Sequence, residues 1–258
     1  MTNVDFQSVT ELAGDEVTSE QVERICHRYT WAASYCEGRD VLEVACGTGQ
    51  GLGYLASVAN SLVAGDFSES ILDIARHHYG ERIALRQFDA QQMPYDDASL
   101  DVVILFEALY YIPDADRFVA EARRVLRPGG QVLIATANKD LFDFNPSPFS
   151  HTYYGVVDLG ALFSRHGFAT RYFGHLPIRE ISGRQKLLRP IKRAVVALGL
   201  MPKTMAGKKL LKRLVFGKLI PMPAEVRADM FPFEPPLVLP DDRPDTQHKV
   251  IYCAATLS

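Results

Sequence analysis

The chain has 258 residues, 47% of them hydrophobic, and a formal net charge of −3, which suits one elaborated domain with a full core rather than two small ones. No apolar run approaches the ~18 residues of a membrane span and no basic-then-apolar signal opens the chain, so a cytoplasmic location is expected. Cys26, Cys36, Cys46 and Cys253 lack metal-ligand spacing and read as free thiols of a reducing compartment.

Ser19 to Tyr35 places Val22, Ile25, Tyr29 and Ala32 at helical spacing behind a Thr18 or Ser19 cap. Residues Val41 to Gly53 then read VLEVACGTGQGLG, an apolar strand with Glu43 at its end and glycines at 47, 49, 51 and 53 running into a helix. Such a turn lets a ligand press on bare backbone beside helix-start amides. A carboxylate at Glu43 repels a pyrophosphate but suits an ammonium or hydroxyl, so the pattern favours a nucleoside carrying positive charge. Ser61 to Ala64 is a second strand ending at Asp66, Glu69 to His77 a helix, and Ile83 to Phe88 a third strand ending at Asp89. Leu100 to Phe106 is a nearly unbroken apolar run, expected for a strand buried on both faces. Asp116 to Leu126 is an amphipathic helix, stopped by Arg127-Pro128-Gly129-Gly130 before a fifth strand over Gln131 to Ala137. Five strand-helix alternations predict a parallel sheet covered on both faces, with ligand outside its carboxyl edge, where Glu43, Asp66, Asp89 and Glu107 fall. A proline-rich loop through His151, Tyr153 and Tyr154 follows, then a helix over Val156 to Gly167, a sixth strand over Phe168 to His175 and a last strand over His248 to Leu257.

The Glu-x-Ala-Cys-Gly-Thr-Gly turn, the acids at the next two strand ends and the VLRPGG phrase resemble the class I S-adenosylmethionine-dependent methyltransferases. Ala45 stands where that family has its first glycine; alanine is expected there with an ordinary backbone angle and with cofactor binding intact. The resemblance implies an α/β, Rossmann-like sandwich with a seven-stranded, mostly parallel sheet, its last strand antiparallel, and helices on both faces. It also implies S-adenosyl-L-methionine as donor and S-adenosyl-L-homocysteine as product, held by Tyr29, Glu43, Ala45, Gly47, Thr48, Gly49, Asp66, Phe67, Ser68, Asp89, Ala90, Gln91 and Phe106. Within that set Asp66 takes the ribose hydroxyls, Asp89 the adenine amine with Ala90 and Gln91 lining the base, and Tyr29 the methionine end. In the loop after the fourth strand Tyr111 replaces the family's frequent histidine, removing an obvious base. His151, Tyr110, Tyr111 and Glu107 remain as candidates to accept a proton near the methyl group. Asn145-Pro146-Ser147-Pro148 is similar to the box of nucleic-acid amine methylases, but it follows the fifth strand instead of the fourth, which argues against base methylation. No acidic cluster suggests a metal site, and metal independence is expected.

The expected organisation is a helical cap over residues 1–38, a donor-binding domain over 39–177 and 246–258, and an insertion over 178–245. The insertion holds eleven basic residues from Arg184 to Lys218 and no acid between Ile181 and Ala224, in two amphipathic helical stretches at Gln185 to Leu198 and Ala206 to Leu219. It reads as a packed lid first, then as a contact for an anionic lipid or sugar-phosphate at the inner face of a membrane, and least as a nucleic-acid surface. The functional expectation is methyl transfer to a small-molecule or glycan-like acceptor, most plausibly at oxygen. One rival is an NAD(P)-binding Rossmann oxidoreductase, which needs Gly-x-Gly-x-x-Gly; the frames from Gly47 and Gly49 end in Leu52 and Tyr54. The other is a catalytically silent protein that keeps the S-adenosylmethionine pocket.

Overall fold

A computed structural model describes residues 10–142, 144–178 and 219–258. Elements appear in the order β1 (Glu16–Thr18), α1 (Ser19–Cys36), β2 (Asp40–Val44), α2 (Leu52–Val58), β3 (Ser61–Asp66), α3 (Glu69–Tyr79), β4 (Ala84–Gln87) and β5 (Leu100–Phe106). There follow α4 (Ala115–Val125), β6 (Leu126–Ala137), α5 (Val156–Ser164), β7 (Phe168–Pro177), β8 (Leu219–Pro221), β9 (Leu237–Leu239) and β10 (His248–Leu257). Local chemistry sets several boundaries. Thr18 and Gln21 form a reciprocal capping box at the start of α1, Asp114 accepts from the Arg117 amide to start α4, and Gly80 ends α3 in a left-handed conformation.

The main sheet runs β4-β3-β2-β5-β6-β10-β7-β9. Strands β4 through β6 pair in parallel, and β10 is antiparallel to both β6 and β7. The sheet therefore has eight strands, correcting the expected seven. The extra one, β9, comes from the proline-rich tail of the insertion and pairs antiparallel with the outer edge of β7. An edge strand offers unpaired backbone groups, and Leu237–Leu239 satisfies them over the three residues that Pro236 and Pro240 leave free. A second, two-stranded sheet joins β1 to β8.

Alternation along β5 shows how both faces are covered. Val103 and Leu105 join the cluster under α4 and α5, while Val102, Ile104 and Phe106 join Val22, Ile25, Tyr29 and Trp31 of α1. Met222 and Val226, from the tail of the insertion, lie in that second cluster. A third cluster packs α3 against Cys46, Leu52 and Ala64 beneath the glycine turn. Among the described residues no helix is long and apolar enough to cross a membrane. The eleven basic residues of the insertion and its two predicted helical stretches lie outside the described residues, apart from Leu219 at the end of the second.

Candidate active site

The turn after β2 is held in three left-handed steps, at Ala45 (φ 53°), Gly47 (φ 59°) and Gly49 (φ 80°). The expected ordinary angle at Ala45 is thus overturned, because the chain must reverse from the sheet to α2 within a few residues and closure takes precedence over alanine's preference. A Cβ at Gly49 would meet Leu52 Cδ1 at 2.9 Å, and one at Gly51 would lie 2.0 Å from the Tyr29 ring, so α1 presses directly on bare backbone. Tyr79 fastens the turn from below by donating to the Gly49 carbonyl at 2.6 Å and accepting from the Gly53 amide at 3.2 Å.

Three acids lie at the carboxyl ends of the adjacent strands β2, β3 and β4. Glu43 is 2% exposed; its Oε1 accepts from the Tyr29 hydroxyl at 2.6 Å, and its Oε2 is buried with no partner among the described residues. Burial pushes its carboxyl up to about 7, against the opposing pull of the Tyr29 hydroxyl and the Arg28 guanidinium. Asp66 accepts from the Gly47 amide at 2.9 Å through Oδ2 and from the Ser68 amide at 2.9 Å through Oδ1, leaving each oxygen a second lone pair. Burial raises its carboxyl too, opposed by those amides. Asp89 accepts from the Gln91 amide at 2.8 Å and from its side chain, whose oxygen in turn accepts from the Asp114 amide. Phe67, beside Asp66, is 61% exposed, a bare ring next to a carboxylate. Ser68 starts α3 without a side-chain cap bond, Thr48 Oγ1 is buried without a partner among the described residues, and Ala90 packs at the core edge.

Beyond β5, Glu107 adopts φ 52° and donates its amide to the Ala135 carbonyl at 2.7 Å. Its Oε2 accepts from the Tyr110 hydroxyl at 3.3 Å, while Oε1 is buried with no partner among the described residues. Tyr110 stacks on Tyr153 at 4.3 Å, and burial holds its hydroxyl well above the usual phenol range. Tyr111 shares a 2.5 Å hydrogen bond with Ser147. The His151 amide donates to the Tyr110 carbonyl at 2.7 Å, and the residue is exposed. Phe106 is buried edge-on against Tyr29 at 5.5 Å.

Arg28, which the sequence pattern does not single out, stands over the Tyr29 and Phe106 rings at 5.5 and 5.9 Å. Its Nε is buried without a partner among the described residues. Desolvation works against its charge, but Tyr29, Glu107 and Glu11 outweigh it. The available signal was a second arginine one turn after Arg24 on an otherwise apolar stripe. Buried atoms on Glu43, Thr48, Arg28 and Glu107 that have no partner among the described residues fit a zwitterionic nucleoside, because each needs a hydrogen-bond partner that those residues do not supply. Among the described residues no group of three or more metal-ligating side chains converges.

Residues 42–134 match the family model described as a methyltransferase domain. The chain is 35% identical over 150 residues to a probable S-adenosylmethionine-dependent methyltransferase of Mycolicibacterium smegmatis, covering 57% of this chain and 55% of that one. It is 32% identical to the O-methyltransferase cnsE of Penicillium expansum (56% and 50% covered) and 30% identical to a ubiquinone/menaquinone biosynthesis C-methyltransferase of Hahella chejuensis (57% and 61%). The chain spans a little over half the length of these relatives. In fold it is similar to the YcgJ protein from Bacillus subtilis, with a TM-score of 0.57 at 16% identity over 90% of this chain and 98% of that one. Residues 42–134 are thus similar to the methyltransferase domain of S-adenosylmethionine-dependent enzymes.

Proposed function

We propose that this protein transfers a methyl group from S-adenosyl-L-methionine to a hydroxyl oxygen of a small-molecule or glycan-like acceptor. The observation that carries the reading is the glycine turn with Asp66 gripping the Gly47 amide and Glu43 Oε2 left buried and unpaired. Glu43 is suited to take the donor's ammonium, Arg28 its carboxylate, Asp66 the ribose hydroxyls and Asp89 the adenine amine, with Phe67 against the base. When bound, the donor supplies a sulfonium-activated methyl carbon. The protein's part is to orient the acceptor in line and to exclude water, which can contribute several kcal/mol. Relatives act at oxygen or at carbon by their names; oxygen is favoured here because Glu107 Oε1 is a buried carboxylate oxygen free to take a hydroxyl proton. Contact of the basic insertion with an anionic lipid or sugar-phosphate at a membrane surface is proposed from its sequence alone.

Isothermal titration with S-adenosyl-L-homocysteine and, separately, NAD tests the donor. Micromolar binding of the first and none of the second is expected; the reverse would establish the oxidoreductase reading. Transfer of label from methyl-labelled donor into a cellular extract then separates an enzyme from a silent binder.

A further inference from the structure

The Tyr29 hydroxyl lies 2.6 Å from Glu43 Oε1 and donates to it, and a phenol has one hydrogen to give. That hydrogen is committed to Glu43, and none is left for the carboxylate of a methionine. The ring that carries it is packed in place: a Cβ at Gly51 would lie 2.0 Å away, Phe106 meets it edge-on at 5.5 Å, and the Arg28 guanidinium stands over it at 5.5 Å. Tyr29 is 2% exposed. A side chain so held, with its single donor on a strand-end acid, is placed to act on a bound nucleoside through that acid.

Glu43 depends on this bond for its charge. Burial pushes its carboxyl up to about 7, and the Tyr29 hydroxyl and then Arg28 pull it down, while Asp66 on the neighbouring strand adds to the upward push. Cys36, Cys46 and Tyr79 are also within electrostatic reach, but burial raises Cys36 to about 12 and the other two well above their ordinary values, so all three stay neutral at ordinary pH. Oε2 already lacks a partner among the described residues. Removing the hydroxyl would strand Oε1 as well, and a carboxylate with both oxygens buried and unpaired takes up a proton instead. A neutral acid has lost its charge attraction for an ammonium.

We propose that Tyr29 is a positioning residue for donor recognition: its hydroxyl occupies Glu43 Oε1, keeps that carboxylate ionised and leaves Oε2 alone to take the donor's ammonium. This rests on the donor reading above, with Glu43 at the ammonium. Tyr29 then decides how strongly the pocket prefers a nucleoside that carries an amino acid over the same nucleoside without one. 5′-Methylthioadenosine is that second nucleoside, since it keeps the adenosine and the thioether and has no ammonium for Glu43 to hold.

The test titrates the full chain, as wild type and as Tyr29→Phe, with S-adenosyl-L-homocysteine and with 5′-methylthioadenosine on both sides of pH 7. Tyr29→Phe keeps the packed ring and removes one oxygen. Its affinity for S-adenosyl-L-homocysteine is expected to fall about tenfold or more, as for a hydrogen bond to a charged group, and the pH midpoint of that binding to move upward. Affinity for 5′-methylthioadenosine should stay unchanged. In a Glu43→Gln background, where there is no charge to support, adding Tyr29→Phe should weaken S-adenosyl-L-homocysteine by less than about twofold more. Equal weakening of both ligands with an unmoved midpoint marks damaged packing and overturns the role. So does a Tyr29→Phe that binds like wild type, or one that costs as much beside Glu43→Gln; the donor reading survives each of these. Failure of wild type to bind S-adenosyl-L-homocysteine overturns both. Where 5′-methylthioadenosine binds too weakly to measure, the midpoint and the double variant decide. Should Tyr29→Phe not fold by thermal melting, the double variant decides alone: a folded one shows that the stranded carboxylate was at fault, and an unfolded one overturns the role.

Discussion

Glu43 is the residue at which burial and charge conflict most directly. Its carboxyl titrates near 7 in the folded chain against an ordinary value of 4.5. Between those values the native state holds more protons than the unfolded one, so stability falls as pH rises through the window and the full penalty is present above about pH 7. Glu43→Gln keeps an oxygen to accept from Tyr29 and removes the titration. Its stability relative to wild type should therefore climb between pH 4.5 and 8, by on the order of 2–3 kcal/mol. Paired thermal melts across that range check the slope, and a flat difference refutes it. In its proposed role at the ammonium of the donor Glu43 acts ionised, so wild-type affinity for S-adenosyl-L-methionine is expected to weaken below pH 7. The sequence displayed an acid at this position and its distance from the glycines. It did not display the missing partner of Oε2, which depends on how α1 crosses the strand end.

At the scale of elements, the glycine turn shows a cost absorbed for the sake of geometry. Ala45 holds φ 53°, where an L-residue with a side chain is strained by about 1–2 kcal/mol. Glycine removes that strain but adds freedom to the unfolded chain worth about 0.4–1 kcal/mol. Ala45→Gly is thus expected to gain about 0.5–1 kcal/mol, seen as a higher urea midpoint at unchanged slope; a lower midpoint would show that the alanine methyl packs usefully. Element positions were largely readable. The strand at Leu100–Phe106, the last strand at His248–Leu257 and the start of α1 at Ser19 fall where apolar periodicity and capping place them. Leu237–Leu239 did not announce itself, since three residues between prolines carry no period and become a strand only because β7 offers an open edge.

For the whole molecule, the end of the insertion is part of the core. Met222 is 2% exposed, exchanges backbone hydrogen bonds of 2.8 Å with Gly14 and Asp15, and packs in the cluster with α1. Four residues on, the Val226 amide donates to Gln50 in the glycine turn at 2.7 Å, and Glu225 pairs with His78 and Arg82 of the α3 region. Met222→Ala should cost about 2–5 kcal/mol in chemical denaturation. A loss below 0.5 kcal/mol would mean that this tail is only draped on the surface. The same contacts tie the N-terminal segment, the glycine turn and the insertion's end into one closure over the site.

The order of elements, the parallel sheet and the acids at three neighbouring strand ends were determined by the sequence itself, because apolar period, glycine placement and strand-end position are local properties. Tertiary structure alone decided which polar atoms went unsatisfied. Arg28 faces Phe106, His27 stacks on His175, and His151, a chemically attractive base, is exposed. Those outcomes depend on where α1 lies across the sheet and on how residues far apart in the chain meet, and no local pattern encodes a distance between them.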